Sequence, residues 1–263
     1  MLPTPDTSHV DYNTIYEPSE DSYLFLDTLS SPSESTWLKS RFSTPSPSPL
    51  LLEVGCGSGV CLAFLTANSH LILGRRDVLA LATDLNRDAC IATQKTITQA
   101  VENSTQNDNG EDTPQSNIRS ISLSAITGDL YTPLRPGTVD ILLFNPPYVP
   151  TEDLPAQHPP STEPEKELSR SAQFERDSYY LSLTYAGGKD GMETTNRFLE
   201  SIPEVLELTR GVAYVLLCAQ NQPQEVKERI CAWGKDWRAE TVGNSGVQAG
   251  WEKLVIVRVW REV

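Results

Sequence analysis

Asn145, Pro146, Pro147 and Tyr148 stand near the end of the run VDILLFNPPYVPT, and their types and order suit the handling of a planar amino group. A residue that precedes proline is driven to extended geometry, which holds Asn145 at the tip of the strand-like segment Val139–Phe144. Pro146 and Pro147 fix two φ angles and bring no N–H of their own. The Asn145 side-chain oxygen and the Pro146 carbonyl then form a rigid pair of acceptors for the two hydrogens of an –NH2 group. Tyr148 offers a flat face to the rest of that planar group. An amide or aryl amine is a poor nucleophile, because its lone pair is delocalised. Fixing both N–H bonds aims the nitrogen and favours the charge that develops on attacking an activated electrophile.

Three other segments carry residues suited to a nucleoside. EVGCGSG (Glu53 to Gly59) lies where a strand turns into a helix, and its glycines let the backbone approach a ligand beside a helix N-terminus. Position 60 is Val60 where a dinucleotide fingerprint would need glycine. A plain tight turn explains GxGxG equally well when it stands alone. Asp84, in LATDLN, ends the next strand, where a carboxylate can accept from two ribose hydroxyls or cap the following helix. Asp129, in ITGDLY, ends a third strand; it could accept from the exocyclic amine of a purine while the Leu130 N–H donates to the ring. Asp after Gly is also ordinary turn chemistry. Each tip is ambiguous alone, but together they make one nucleoside-binding edge, with NPPY at the tip of the fourth strand.

The elements that must position these tips alternate along the chain. Leu50–Val54 reads as a strand followed by a helix through Phe64 and Leu65. Val78–Thr83 reads as the next strand and Asn86–Val101 as the next helix. Ile118–Thr127 alternates, with Ile121, Leu123 and Ala125 on one face, and Val139–Phe144 is an apolar strand buried on both sides. A helix over Glu193–Leu208, a strand over Val212–Ala219, an amphipathic helix and a last strand over Trp251–Trp260 complete the series. Strands alternating with helices imply a mainly parallel sheet with ligands at the carboxyl ends of its strands. Residues 1–49 read as an N-terminal extension, with Thr36–Pro49 a flexible connector ending in STPSPSP. Residues 50–263 read as one α/β domain with a disordered insertion at 102–117 and a mobile loop at 151–178.

The formal net charge of −14 over 263 residues weighs against nucleic acid as a partner, since an acidic chain gains nothing from a phosphate backbone. The five cysteines form no CxxC pair and three histidines lie far apart, which reads as reduced thiols and no metal cluster. The N-terminus is polar and no apolar run approaches the roughly 18 residues of a membrane span. A cytoplasmic protein is expected, with a nuclear pool compatible.

EVGCGSG, TDLN, GDL and NPPY, in this order and spacing, resemble a class I S-adenosylmethionine-dependent methyltransferase. YEPSEDS (Tyr16 to Ser22) followed by YLFLDTL, with FNPPYVPT and YAGGKDGMETTNRFL, is similar to the eukaryotic HemK-like glutamine methyltransferases. The similarity runs from Tyr16 through most of the chain. It implies a Rossmann-like fold with a mixed, mostly parallel seven-stranded sheet and helices on both faces. It also implies S-adenosylmethionine as cofactor, and N5-methylation of the Gln in the Gly-Gly-Gln tripeptide of the class I translation termination (release) factor. Carried over residue by residue, it implies cofactor contacts at Ser22, Glu53, Gly55, Asp84, Asp129, Leu130 and Asn145. Asn145, Pro146 and Tyr148 would hold the target amide. The family commonly has Thr at Ser22, and the hydroxyl is retained.

NPPY alone does not separate an amide from adenine, so N6-adenine methylation of nucleic acid is the rival reading; the acidity and the flanking motifs favour the amide. Lysine methylation of other proteins is a weaker rival, because an ammonium needs a base that this pattern does not supply. The resemblance further implies a heterodimer with a small zinc-binding activator protein, which pairs with an edge strand. In the class I strand order that edge is the third strand, here Ile118 to Ile126, and any zinc belongs to the partner.

Overall fold

The computed structural model describes residues 2–107, 120–156, 168–246 and 253–262. Among these, β1 (Leu50–Val54), β2 (Leu79–Asp84), β3 (Ile121–Thr127), β4 (Ile141–Phe144), β5 (Val212–Cys218), β6 (Trp237–Asn244) and β7 (Leu254–Arg261) form one sheet, ordered β3-β2-β1-β4-β5-β7-β6. The first five pair in parallel. β7 runs antiparallel between β5 and β6. This is the class I arrangement that the resemblance implies. The order reverses between β1 and β4, so the tips of β1, β2 and β4 flank the switch point where ligands of such sheets bind.

The helices α1 (Glu20–Ser30), α2 (Pro32–Arg41), α3 (Val60–Ala67), α4 (Ser69–Ile72) and α5 (Arg87–Asn107) share one face of the sheet. α6 (Arg170–Tyr185) follows β4, while α7 (Glu193–Val205) and α8 (Pro223–Cys231) cover the other face. Both faces being buried explains the unbroken apolar strands. In β5, Val212, Tyr214 and Leu216 pack toward the first helix layer, and Ala213, Val215 and Leu217 toward the second. No helix among the described residues is long and apolar enough to cross a membrane.

Four expectations change. The first half of the supposed connector is helical. Ser31 accepts from the Glu34 N–H at 3.3 Å with Pro32 in the first turn, a capping pattern that Ser31-Pro32-Ser33-Glu34 already writes. Its apolar residues Leu38 and Phe42 are fully buried. The rest is pinned, since Arg75 donates to the Ser46 hydroxyl and carbonyl at 2.7 and 2.9 Å. Residues 102–107 of the supposed insertion continue α5, while 108–117 lie outside the described residues. Within the supposed mobile loop, residues 170–178 belong to α6, whose start is capped by Ser169 accepting from Ala172 N–H at 3.2 Å; 157–167 lie outside the described residues. Finally β6, half-exposed and poorly alternating, is a strand because β7 supplies its partner rather than because of its own pattern.

Candidate active site

The turn after β1 begins with Gly55, whose φ of +60 is a left-handed conformation that other residues adopt only with strain. A β-carbon there would also crowd the Phe144 ring at 3.4 Å. Two residues on, the Gly57 N–H donates to Asp84 Oδ2 at 3.0 Å, and the Asn86 N–H donates to Asp84 Oδ1 at 2.8 Å. Asp84 therefore ties the tip of β2 to the glycine turn. The capping role falls to Asn86, whose side chain accepts from the Asp88 N–H at 2.9 Å. The carboxylate retains acceptor capacity for a ligand.

The N-terminal segment lies across this edge. Asn86 Nδ2 donates to the Thr14 carbonyl at 2.9 Å, and Ile15, 3% exposed, packs beside Gly57. Residues 14 and 15 thus pack against the glycine turn and the start of α5.

Glu53 is 5% exposed and accepts from the Leu62 N–H at 3.0 Å. Burial pushes its pKa up to about 8, with the nearby Asp84 adding to the rise; the Leu62 N–H and the Cys61 thiol act against it. Burial also raises Asp84, offset by the N–H groups of Gly57, Asn86 and Leu85. Two carboxyl groups held this way form an acidic floor suited to a ligand that carries positive charge.

Asp129 stands two residues beyond the end of β3. Its carboxylate forms an ion pair with Arg197 on α7, both side chains being about half exposed. A purine amine would have to share or displace that guanidinium. Leu130 holds a φ of +51, uncommon for a non-glycine residue, and the Thr83 hydroxyl secures it by donating to its carbonyl at 2.7 Å.

At the tip of β4, Asn145 Nδ2 donates to Asp21 Oδ2 at 3.1 Å, while Asn145 Oδ1 is buried with no protein partner. The oxygen that the sequence assigns to an incoming –NH2 group is thus an open acceptor. Pro146 is buried and Tyr148 half-buried, the latter packed against the core of the first helix layer. Tyr148, Val149, Pro150, Cys218, Ala219, Gln220 and Lys253 line a cavity of about 140 Å³ at the carboxyl ends of β4 and β5. Ser22 sits beside Asp21 on α1, its N–H donating to Asp21 Oδ1 at 2.6 Å.

The segment YAGGKDG forms the back wall of NPPY. Val149 and Ala186 form a parallel bridge, with Val149 N–H donating to the Tyr185 carbonyl at 2.9 Å and Gly187 N–H to the Val149 carbonyl at 2.8 Å. Asn221 clamps this loop to the end of β5, accepting from Cys218 N–H at 2.8 Å and donating to the Asp190 carbonyl at 3.2 Å. Asp21, Gly187 and Asn221 are structural members of the site that motif reading left without a role. For the first two the signal was present, since both lie inside motifs singled out in the sequence; Asn221 has none.

No family model matches the chain. Among curated proteins, the chain is 30% identical to the eRF1 methyltransferase catalytic subunit mtq2 of Schizosaccharomyces pombe, over 99% of this chain and 96% of that protein. It is 29% identical to methyltransferase HEMK2 of Mus musculus, over 98% and 96% of the two chains. A solved structure, the N-terminal domain of human METTL16 in complex with SAH, aligns at 13% identity and a TM-score of 0.48 over 93% of this chain and 72% of that one.

Proposed function

Given that the chain belongs to the eukaryotic HemK-like methyltransferase family, we propose that it methylates the side-chain amide nitrogen of the glutamine in the Gly-Gly-Gln tripeptide of the class I translation termination factor. The observation that carries this reading is the buried Asn145 Oδ1, left without a protein partner at a strand tip beside two prolines. A buried acceptor of this kind costs about 1–3 kcal/mol unless something donates to it, and a primary amide presents the required N–H.

The residues present fit S-adenosylmethionine: a glycine turn that admits close approach, the acidic floor of Glu53 and Asp84, and the wall formed by Thr14 and Ile15. Ser22, Glu53, Gly55, Asp84, Leu130 and Asn145 would hold it, with Asp129 joining if Arg197 yields. The cofactor, when bound, supplies an activated methyl group. Asn145 Oδ1 and the Pro146 carbonyl hold both N–H bonds of the target amide, and Tyr148 supports its plane. As the nitrogen gains the methyl group, these two oxygens stabilise the positive charge that develops on it, until one proton leaves to solvent. No general base is required, because the proton is acidic once the nitrogen is alkylated.

The reading includes a small zinc-binding activator protein paired along β3. Support comes from the terminal place of β3 in the sheet and from Ile121 and Leu123, 54% and 48% exposed. An apolar sheet edge of this kind is a site for strand addition. The experiment is co-expression with the activator and mass spectrometry of the Gly-Gly-Gln peptide from the termination factor. One methyl group on the glutamine is the expected result. An unmodified glutamine, with methyl incorporated into adenine or lysine instead, overturns the reading.

A further inference from the structure

Asp21 stands on the first turn of α1 and is 4% exposed. Its Oδ1 accepts from the Ser22 N–H at 2.6 Å and from the Ser22 hydroxyl at 3.3 Å. Its Oδ2 accepts from Asn145 Nδ2 at 3.1 Å, across 124 residues of sequence. A carboxylate has no proton to give, so only the NH2 end of the Asn145 amide can face it. The other end, Oδ1, is then turned away from α1, where it is buried and unpartnered. Without Asp21 the two ends of an asparagine amide are close to isosteric, and nothing in the two prolines selects one over the other.

We propose that Asp21 is a positioning residue for methyl transfer, which fixes the flip state of Asn145 so that an acceptor and not a donor meets the substrate amide. This inference rests on the function proposed above. The contact has a second effect. An anion hydrogen-bonded to the NH2 end draws the amide toward its charge-separated resonance form, which makes Oδ1 a stronger acceptor for the cationic nitrogen of the transition state. Because Ser22, the neighbouring residue, is a proposed cofactor contact, seating of α1 over the cofactor site and alignment of the substrate amide become one event.

The test uses the full chain co-expressed with the activator, and the termination factor as substrate. In Asp21→Asn the partner can both donate and accept, so the flip state of Asn145 is no longer selected. We expect kcat to fall about 10- to 100-fold, the range for lost orientation of a reacting group. Affinity for S-adenosylhomocysteine by calorimetry and the melting temperature should fall by much less than kcat. Asn145→Asp sets two carboxylates against each other, and adding Asp21→Asn to it restores an amide–carboxylate pair with the roles exchanged; the double variant should turn over faster than Asn145→Asp alone. A mere clip between α1 and β4 predicts otherwise: kcat unchanged, or reduced only as far as S-adenosylhomocysteine binding and melting are reduced. Either result overturns the proposal, as does a double variant no faster than Asn145→Asp. If the wild-type chain leaves the glutamine unmethylated, it is the proposed function that fails. The contact is then judged by nitrogen-15 NMR of the Asn145 side chain, whose amide protons should exchange more slowly in wild type than in Asp21→Asn. Equal rates overturn it.

Discussion

Gly187 lies so close to the Pro147 carbonyl that a β-carbon at that glycine would stand 2.6 Å from the oxygen. The turn that carries the two prolines is therefore held from behind by a backbone that tolerates no side chain, while Asp21 holds it from the front. Gly187→Ala has to displace the Pro147 carbonyl or the Gly191 backbone, which would stand 2.7 Å from the same β-carbon. A displacement approaching 1 Å at a reacting site costs on the order of 10²-fold in rate. Methyl transfer by Gly187→Ala should fall by about that factor, with a stability loss of about 1–3 kcal/mol in urea unfolding. Turnover at the wild-type rate would show that the loop does not brace NPPY.

Asn145→Ala removes the buried acceptor and leaves the glycine turn, Glu53 and Asp84 in place. Transfer should be abolished while S-adenosylhomocysteine binding is largely spared, losing no more than the one Asn145 contact. Isothermal calorimetry beside a labelled-methyl assay separates the two. Near-normal turnover sinks the mechanism.

Glu53 titrates near 8 in the folded chain against an ordinary value of 4.5. Between these values the folded state holds a proton that the unfolded state has lost. Stability from this group is therefore fully present below about pH 4.5 and declines as pH rises to about 8. Asp84 is raised in the same sense, so its contribution also falls as pH rises from its ordinary value. Glu53→Gln should flatten the fall in melting temperature between about pH 5 and pH 8 relative to wild type. An unchanged slope contradicts the assignment. Positive charge bound beside Glu53 favours its ionised form, so binding of S-adenosylmethionine, which carries a sulfonium cation, should release protons at pH 7. Calorimetry in buffers of different ionisation enthalpy reads that release directly.

Glu34 and Arg258, 2% and 7% exposed, are joined at 3.0 Å, and Glu34 also accepts from the buried Tyr214 hydroxyl. Arg258 lies over both Trp37 at 4.0 Å and Trp260 at 4.5 Å, two rings that meet edge to face. This cluster docks α2 on the antiparallel end of the sheet. Removing one charge of a buried pair leaves the other uncompensated, which typically costs 3–5 kcal/mol. Because Arg258 keeps Glu240 at 2.9 Å, Glu34→Gln should cost about 3 kcal/mol, read as a lower urea midpoint. A change below about 1 kcal/mol would place the docking energy in the tryptophans.

Leu123→Glu introduces charge on the outer strand, where the side chain is about half exposed, so the isolated fold should be little affected. The proposed activator should no longer co-purify with this variant. Retention of the complex moves the interface away from β3.

The strand–helix alternation, the parallel sheet and the order of the strand tips were legible because they rest on local patterns: apolar runs, glycine turns and acidic residues at strand ends. The reading failed where the pattern of a segment is set by something distant. Trp237–Asn244 becomes a strand only through β7. Thr36–Arg41 looked like linker because the serines and prolines on either side mask the buried Leu38 and Phe42. At the site, the sequence showed that Asn145 is a tip residue with a fixed backbone. It could not show which end of its amide faces the substrate.

By itself, then, the amino-acid sequence determined the fold class and the family and marked the candidate side chains at the strand tips, because backbone restriction by proline and glycine acts over one or two residues. Tertiary structure alone decided the orientation of those side chains. Asp21 and Asn145 meet only when α1 packs over the tip of β4, and Asp129 meets Arg197 only when α7 covers the other face. Hydrogen bonding between residues far apart in the chain depends on three-dimensional proximity, and no local pattern records it.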